Sequence, residues 1–190
     1  MSHSVIFDFN NLTLDSHIKT LLLDLDNTCY EYKPCHQAAL ESVRIEIEKI
    51  VGLLPEFTTQ YSAAQAQVKA RIPTQAASHS RVLYFQALFE LLGRTDGHIH
   101  AANLEEIYWS TFTSKMQLAA GLGNFLVQTR ENGTTIVVVS DLTTALQCKK
   151  MNALGMADKI DYLVTSEEAG VEKPGAAMFL IALEKATSAF

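Results

Sequence analysis

Cysteine, proline, glycine and tryptophan are all scarce in this chain of 190 residues, which holds three Cys, four Pro, nine Gly and a single Trp. The thiols, Cys29, Cys35 and Cys148, are too few and too scattered for a disulfide framework or a four-thiolate zinc site, and are read as reduced. Little Pro and Gly beside 48% hydrophobic and 19% charged residues excludes broad disorder and calls for a packed core. Positive charge is in deficit too: 15 Lys and Arg stand against 21 Asp and Glu, a formal net charge of -6. That balance argues against an electrostatic nucleic-acid binder and makes any affinity for phosphate local. No run approaches the roughly 18 to 20 apolar residues of a membrane span, and the N-terminus lacks the pattern of a signal peptide. The expectation is one soluble domain, or a core with a modest insertion, with no membrane or nucleic-acid partner and a cytoplasmic location.

What is present is a set of short apolar runs that end in polar residues. Thr20-Leu21-Leu22-Leu23 runs into Asp24, and Thr135 to Val139 runs into Ser140-Asp141. A weaker run, Asp161-Tyr162-Leu163-Val164, ends at Thr165-Ser166. Such runs read as strands buried on both faces of a parallel sheet. Helical spacing over 118–130, 143–154 and 175–187 places helices before, between and after the last two runs, with Gly155 as a C-cap and Pro174 at a helix start. Residues 33–115 differ: helical patterns over 38–54, 58–71, 82–92 and 103–115 and no convincing strand. The fold class is therefore α/β, a Rossmann-like parallel sheet formed by residues 1–32 and 116–190 with a helical insertion over 33–115.

Asp24 and Asp26 fall at the end of the first run, where open α/β sheets place ligand crevices. If the chain stays extended, side chains two apart converge. A carboxylate pair then either shares a cation or has one ionisation suppressed, so that one member is a nucleophile while the other handles a proton. Ser140, at the end of the adjacent run, offers a hydroxyl and nearby N–H groups to a phosphate oxygen. Lys173, fixed before Pro174, supplies a cation.

Three segments together carry a family resemblance. Leu21 to Thr28 (LLLDLDNT) resembles the first motif of the haloacid dehalogenase superfamily, Val137 to Asp141 (VVVSD) its second, and Thr165 to Pro174 (TSEEAGVEKP) its third, in family order over residues 18–187. The resemblance implies a Rossmann-like core with an all-helical cap at 33–115. It implies Asp24 as the nucleophile that forms an aspartyl-phosphate and binds Mg²⁺, and Asp26 as general acid and base with its backbone carbonyl on the metal. It also implies that Lys173 offsets charge, with Thr28, Ser140 and Asp141 on the substrate. Asp at position 26 favours phosphatases over carbon–halogen hydrolases. The implied reaction is Mg²⁺-dependent hydrolysis of a small phosphorylated metabolite, a nucleotide or sugar phosphate, by a monomer or homodimer.

The family's fourth motif, Gly-Asp followed by a further acidic residue, normally follows the helix that ends near Thr187, and these 190 residues stop before it. Neither Glu167 nor Glu168 replaces it. The expectation is a truncated form of a longer protein, with the sheet's first strand left open at one edge; the competing readings are a naturally shortened member with weak or absent metal binding, or a non-catalytic module that binds a phosphorylated ligand or partner. Val5 to Asn11 echoes the first motif and reads as an extra strand or docked arm. Ser78 to Arg81, Tyr84, Lys33 and Arg71 are candidates for substrate contact within the insertion, set against helix capping and solvated charge. His98 and His100 are read as solvent-exposed loop histidines, and Cys29 as a packed side chain.

Overall fold

The computed structural model describes residues 8–188. In chain order the elements are β1 (Thr20–Leu23), α1 (Tyr32–Val51), α2 (Phe57–Arg71), α3 (Arg81–Leu91), α4 (Gly97–Ser114), α5 (Leu122–Glu131), β2 (Thr135–Ser140), α6 (Thr144–Ala153), β3 (Tyr162–Thr165), the single turn α7 (Ser166–Ala169) and α8 (Ala176–Thr187). The chain divides into two compact units, Met1–Tyr32 with Met116–Phe190, and Lys33–Lys115.

In the first unit the three strands are parallel in the order β1-β2-β3. Leu23 pairs with Val138 and Ser140 with Thr165, so the carboxyl ends of all three strands meet at one edge. Ile136 to Val139 are almost wholly buried, as the unbroken β-branched run requires. Alternation along β2 sends Val137 and Val139 to one face, where they pack with Val164 and with Met178, Ala182 and Ala186 of α8. The two alanines bring the helix close to the sheet, and each buried Val or Met contributes about 1.5–3 kcal/mol relative to exposure. Among the described residues β1 has a single neighbour, β2.

Three segments begin elsewhere than their sequence pattern predicts. The helix expected over 38–54 runs from Tyr32 to Val51. The helix expected from Leu118 begins at Leu122, because Gly121 before it is left-handed, with φ of 77°. The helix expected from Asn103 begins at Gly97, so His98 and His100 stand on the first turn of α4 and not in a loop.

The start of the described chain is a docked arm rather than a strand. The Phe9 N–H donates to the Ala120 carbonyl at 3.0 Å, and its ring centroid lies 5.4 Å from that of Phe125. A Cβ on Gly121 would stand 2.5 Å from the Asn10 nitrogen, so glycine here serves both the φ and the close approach. Val5 to Phe7 lie outside the described residues.

The second unit is all-helical. On α1, Cys35, Ala39, Val43 and Ile47 recur every fourth residue and are buried. On its outer face Arg44 pairs with Glu41 and Glu48, each at 2.6 Å. α3 packs against α2 and α4 through a core rich in aromatics, among them Tyr61, Tyr84, Phe85, Phe89, Tyr108 and Phe112. Among the described residues no helix is long and apolar enough to cross a membrane.

Candidate active site

Asp24 leaves β1 at the carboxyl edge of the sheet, and the chain turns at once. Cys29 N–H donates to the Leu25 carbonyl at 2.9 Å, and Asn27 adopts a left-handed φ of 64°. Asn suits that conformation, and its side chain accepts from the Tyr32 N–H at 3.1 Å. The turn, over Asn27 to Cys29, follows Asp26, so both carboxylates lie on the short segment between the end of β1 and the turn.

Each carboxylate meets its own ammonium. Lys173 Nζ donates to Asp24 Oδ1 and, at 3.3 Å, to the Val139 carbonyl at the end of β2. The Thr28 hydroxyl donates to Asp24 Oδ2 at 2.9 Å. Lys150 Nζ donates to Asp26 Oδ1 at 2.7 Å, where the Tyr30 hydroxyl also donates, and Gln147 Nε2 donates to Asp26 Oδ2 at 3.2 Å. Burial would raise the Asp26 carboxyl, but the Lys150 charge and the hydrogen bonds from Lys150, Tyr30 and Gln147 outweigh it and hold Asp26 below the usual carboxylate range.

Ser140, 1% exposed, ends β2, and its Oγ accepts from Gln147 Nε2 at 2.6 Å. Asp141 joins the second and third motifs, since its Oδ1 accepts from the Lys173 N–H at 2.9 Å. The β3 end braces the same loop. Ser166 Oγ accepts from the Leu142 N–H at 2.9 Å, and Glu167 accepts from the Thr144 N–H at 2.8 Å at the start of α6. Leu142 is held at a φ of 90°, unusual for a branched residue. Glu168 pairs with Lys185. Asp24, Thr28, Ser140, Asp141 and Lys173 are therefore assembled within one unit at one sheet edge, and α6 brings Gln147 and Lys150 to the same place.

Those last two, with Tyr30, escaped the sequence reading. A signal existed: Gln147 and Lys150 fall in register with Leu146, Met151 and Leu154, on the inward stripe of α6, where polar residues are uncommon. Both are fully buried.

A hard divalent cation such as Mg²⁺ takes oxygen ligands and often uses only one or two carboxylates, completing its shell with water and substrate phosphate. Among the described residues no group of three His, Cys, Asp or Glu side chains gathers. The Asp24 side chain is 37% exposed, so a carboxylate oxygen and its surroundings at the sheet edge are open to water and ligand. That donor fits such an ion in its substrate-assisted form, whereas the Asp26 carboxylate is engaged by Lys150, Tyr30 and Gln147. Cys29 is fully buried and its thiol donates to the Asp24 carbonyl at 3.2 Å; burial, with the Asp24 and Asp26 charges, pushes it well above the ordinary thiol range. It is no nucleophile.

In the helical unit, Ser80 caps α3 by accepting from the Leu83 N–H at 3.3 Å, as its position suggests. Arg81 departs from a solvated face: it is 2% exposed, with its guanidinium 4.8 to 5.2 Å from the ring centroids of Tyr108, Trp109 and Tyr84. It donates to the His79 carbonyl at 2.7 Å and to Tyr108 Oη at 3.3 Å. His36 Nδ1 lies 2.5 Å from the same hydroxyl, and burial together with the Arg81 charge pushes its imidazole down to about 4. Lys33 and Arg71 are exposed.

The model of the haloacid dehalogenase-like hydrolase family matches residues 18–187. A ribulose-1,5-bisphosphate 5-phosphatase from Halopiger xanaduensis is 36% identical over 171 residues, 88% of this chain and 71% of that protein. A glyceraldehyde 3-phosphate phosphatase from Methanopyrus kandleri is 28% identical over 171 residues, 88% and 70% of the two chains. Among solved structures, a 2-haloacid dehalogenase from Pseudomonas syringae superposes with a TM-score of 0.72 at 22% identity, over 90% of this chain and 73% of that one.

Proposed function

The chain belongs to the haloacid dehalogenase-like hydrolase family, and from that membership we propose that it is a phosphatase that hydrolyses the phosphomonoester of a small sugar or related metabolite through an aspartyl-phosphate on Asp24. The observation that carries this reading is the Asp24 carboxylate, held between the Lys173 ammonium and the Thr28 hydroxyl beside the buried end of β2 at Ser140. The names of the two relatives, both sugar-phosphate phosphatases, support the substrate class.

In the first step an Asp24 carboxylate oxygen forms a bond to phosphorus while the bond from phosphorus to the ester oxygen breaks. Asp26, protonated in the minority of molecules that its lowered proton affinity allows, gives that oxygen a proton, and the alcohol leaves. In the second step water attacks phosphorus, Asp26 takes its proton, and the bond to Asp24 breaks to free inorganic phosphate. Lys173 offsets charge at Asp24 and at the transferring group, and the Ser140 hydroxyl holds a phosphoryl oxygen. Thr28 orients Asp24, and Asp141 fixes the Lys173 backbone. Bound Mg²⁺, held by the Asp24 carboxylate and the Asp26 carbonyl, would add positive charge beside the phosphoryl oxygens. The unit Lys33–Lys115 serves in this reading as the family's cap, and a small soluble substrate suits a cytoplasmic enzyme.

The test is phosphate release from a panel of sugar and nucleoside phosphates in the presence of Mg²⁺. Turnover of one or more members that disappears in Asp24→Asn supports the reading. Absence of turnover across the panel, or turnover that Asp24→Asn leaves intact, defeats it.

A further inference from the structure

We propose that Gln147 and Lys150 are positioning residues for proton transfer, fixing the Asp26 carboxylate and tying it to the phosphate-binding end of β2. The proposal rests on the reading of Asp26 as acid and base given above.

The two residues stand three apart on α6 and so share one of its faces. Both have no exposed surface. Together with Tyr30 they engage both oxygens of Asp26: Lys150 at 2.7 Å and Tyr30 on Oδ1, Gln147 at 3.2 Å on Oδ2. The Lys150 ammonium also lies 5.9 Å from the Tyr30 ring centroid, so the cation is bound to this turn by two kinds of contact.

Gln147 is the link between motifs. Its Nε2 lies within reach of Ser140 Oγ at 2.6 Å, the Asp141 carbonyl at 2.5 Å and Asp26 Oδ2 at 3.2 Å. An amide nitrogen carries two hydrogens and cannot serve three acceptors at once. The longest contact, to Asp26, is the one most readily exchanged. The other end of the same amide, Oε1, is buried and accepts no hydrogen bond. Gln147 thus couples the seat of the acid and base to the hydroxyl that would hold a phosphoryl oxygen, and retains an unused acceptor at that junction.

Core packing alone gives no reason for a lysine here. A buried ion pair seldom stabilises more than an apolar pair of the same shape, whereas a fixed carboxylate is what a proton-transfer step needs. The two residues therefore act through Asp26, and their effect should depend on how much the leaving group needs a proton.

The experiment compares kcat/KM, which reports on formation of the aspartyl-phosphate and not on its hydrolysis, for ribose 5-phosphate, whose alkoxide leaves only when protonated, and for 4-nitrophenyl phosphate, whose phenolate leaves without help. Asp26→Asn is the reference. Lys150→Met is expected to lower kcat/KM for the sugar phosphate by about 100-fold and for the nitrophenyl ester by less than about tenfold. Gln147→Ala shows the same asymmetry more weakly, and Lys150→Arg restores part of the loss. In an Asp26→Asn background, where a Met at 150 also removes the buried charge and so guards against misfolding, Lys150→Met adds no further leaving-group dependence. Equal losses on both esters, or an undiminished Lys150→Met effect in the Asp26→Asn background, overturn the positioning role. If Asp26→Asn shows the asymmetry and neither Lys150→Met nor Gln147→Ala does, the positioning role falls while the acid–base reading stands. If Asp26→Asn shows none, both fall.

Discussion

Lys150 Nζ, without any solvent exposure, lies 2.7 Å from Oδ1 of Asp26, whose side chain is 24% exposed. The asymmetry of burial makes the two ends of this pair unequal. Removing the carboxylate takes the counter-charge from a fully desolvated ammonium, whereas removing the ammonium leaves a carboxylate that water still reaches. Asp26→Asn should therefore destabilise the protein by about 3–5 kcal/mol, and Lys150→Met by less. The pair of variants together should recover most of the Asp26→Asn loss. Urea unfolding of the three variants measures this, and equal losses for the two single variants would contradict the burial argument.

Leu142 provides a second test, because its φ of 90° is imposed by the loop and not chosen by the residue. Its backbone is tied at both ends to Ser166 Oγ, at 2.9 Å through the N–H and 3.5 Å through the carbonyl. Truncation to Ala or to Gly loses the same buried side chain, but only Ala retains the cost of a left-handed backbone. Leu142→Gly should then be more stable than Leu142→Ala by about 1 kcal/mol, the reverse of the order at ordinary positions. Thermal melting of the two variants decides the sign.

Gly121 and Gly133 separate two reasons for glycine. Both have positive φ, 77° and 74°, but a Cβ meets nothing within 4 Å at Gly133 and meets the Asn10 backbone at 2.5 Å at Gly121. Gly133→Ala should cost about 1 kcal/mol from the backbone alone. Gly121→Ala should cost clearly more and should expose the Phe9 amide, now bonded to the Ala120 carbonyl, to hydrogen exchange. Matching losses, with Phe9 protection unchanged, would mean that the arm is not seated where the structure puts it.

The His36 imidazole fixes a pH dependence. Its proton affinity drops from an ordinary 6.5 to about 4 in the folded protein, through burial and then the Arg81 charge. Below pH about 6.5 the unfolded chain takes up a proton that the folded chain refuses, so folding stability falls as pH drops from 6.5 towards 4 and the effect levels off below that. The loss is on the order of 1–3 kcal/mol. His36→Gln should flatten this part of the stability–pH curve; an unaltered slope would show that another group is responsible.

Much of the sheet edge was legible in the sequence. Asp24 and Ser140 follow from short apolar runs that stop at polar residues, because a buried parallel strand permits few other sequences and its carboxyl end is where ligands bind, and Lys173 follows from its place before Pro174. The partners of the Asp26 carboxylate were not legible, because Lys150 and Gln147 reach it from α6, more than a hundred residues along the chain, and Tyr30 from across the turn. Nor were the buried states of Lys150 and Arg81. A helical stripe assigns polar residues to the solvent side by default, and what reverses that assignment is a carboxylate from β1 in the first case and three aromatic rings in the second. The start of α5 shifted by four residues for a local reason, the left-handed Gly121, which a pattern of apolar spacing does not register.

The most direct test of the central claim is to stop the reaction on Asp24. Incubation with a sugar phosphate that the protein turns over, rapid acid quench and peptide mass spectrometry should find phosphate on the peptide that contains Asp24, and Asp24→Asn should show neither that adduct nor phosphate release above background. Steady hydrolysis by Asp24→Asn at the unmodified rate, or a phosphorylated peptide elsewhere in the chain, would contradict the assignment of Asp24 as the nucleophile.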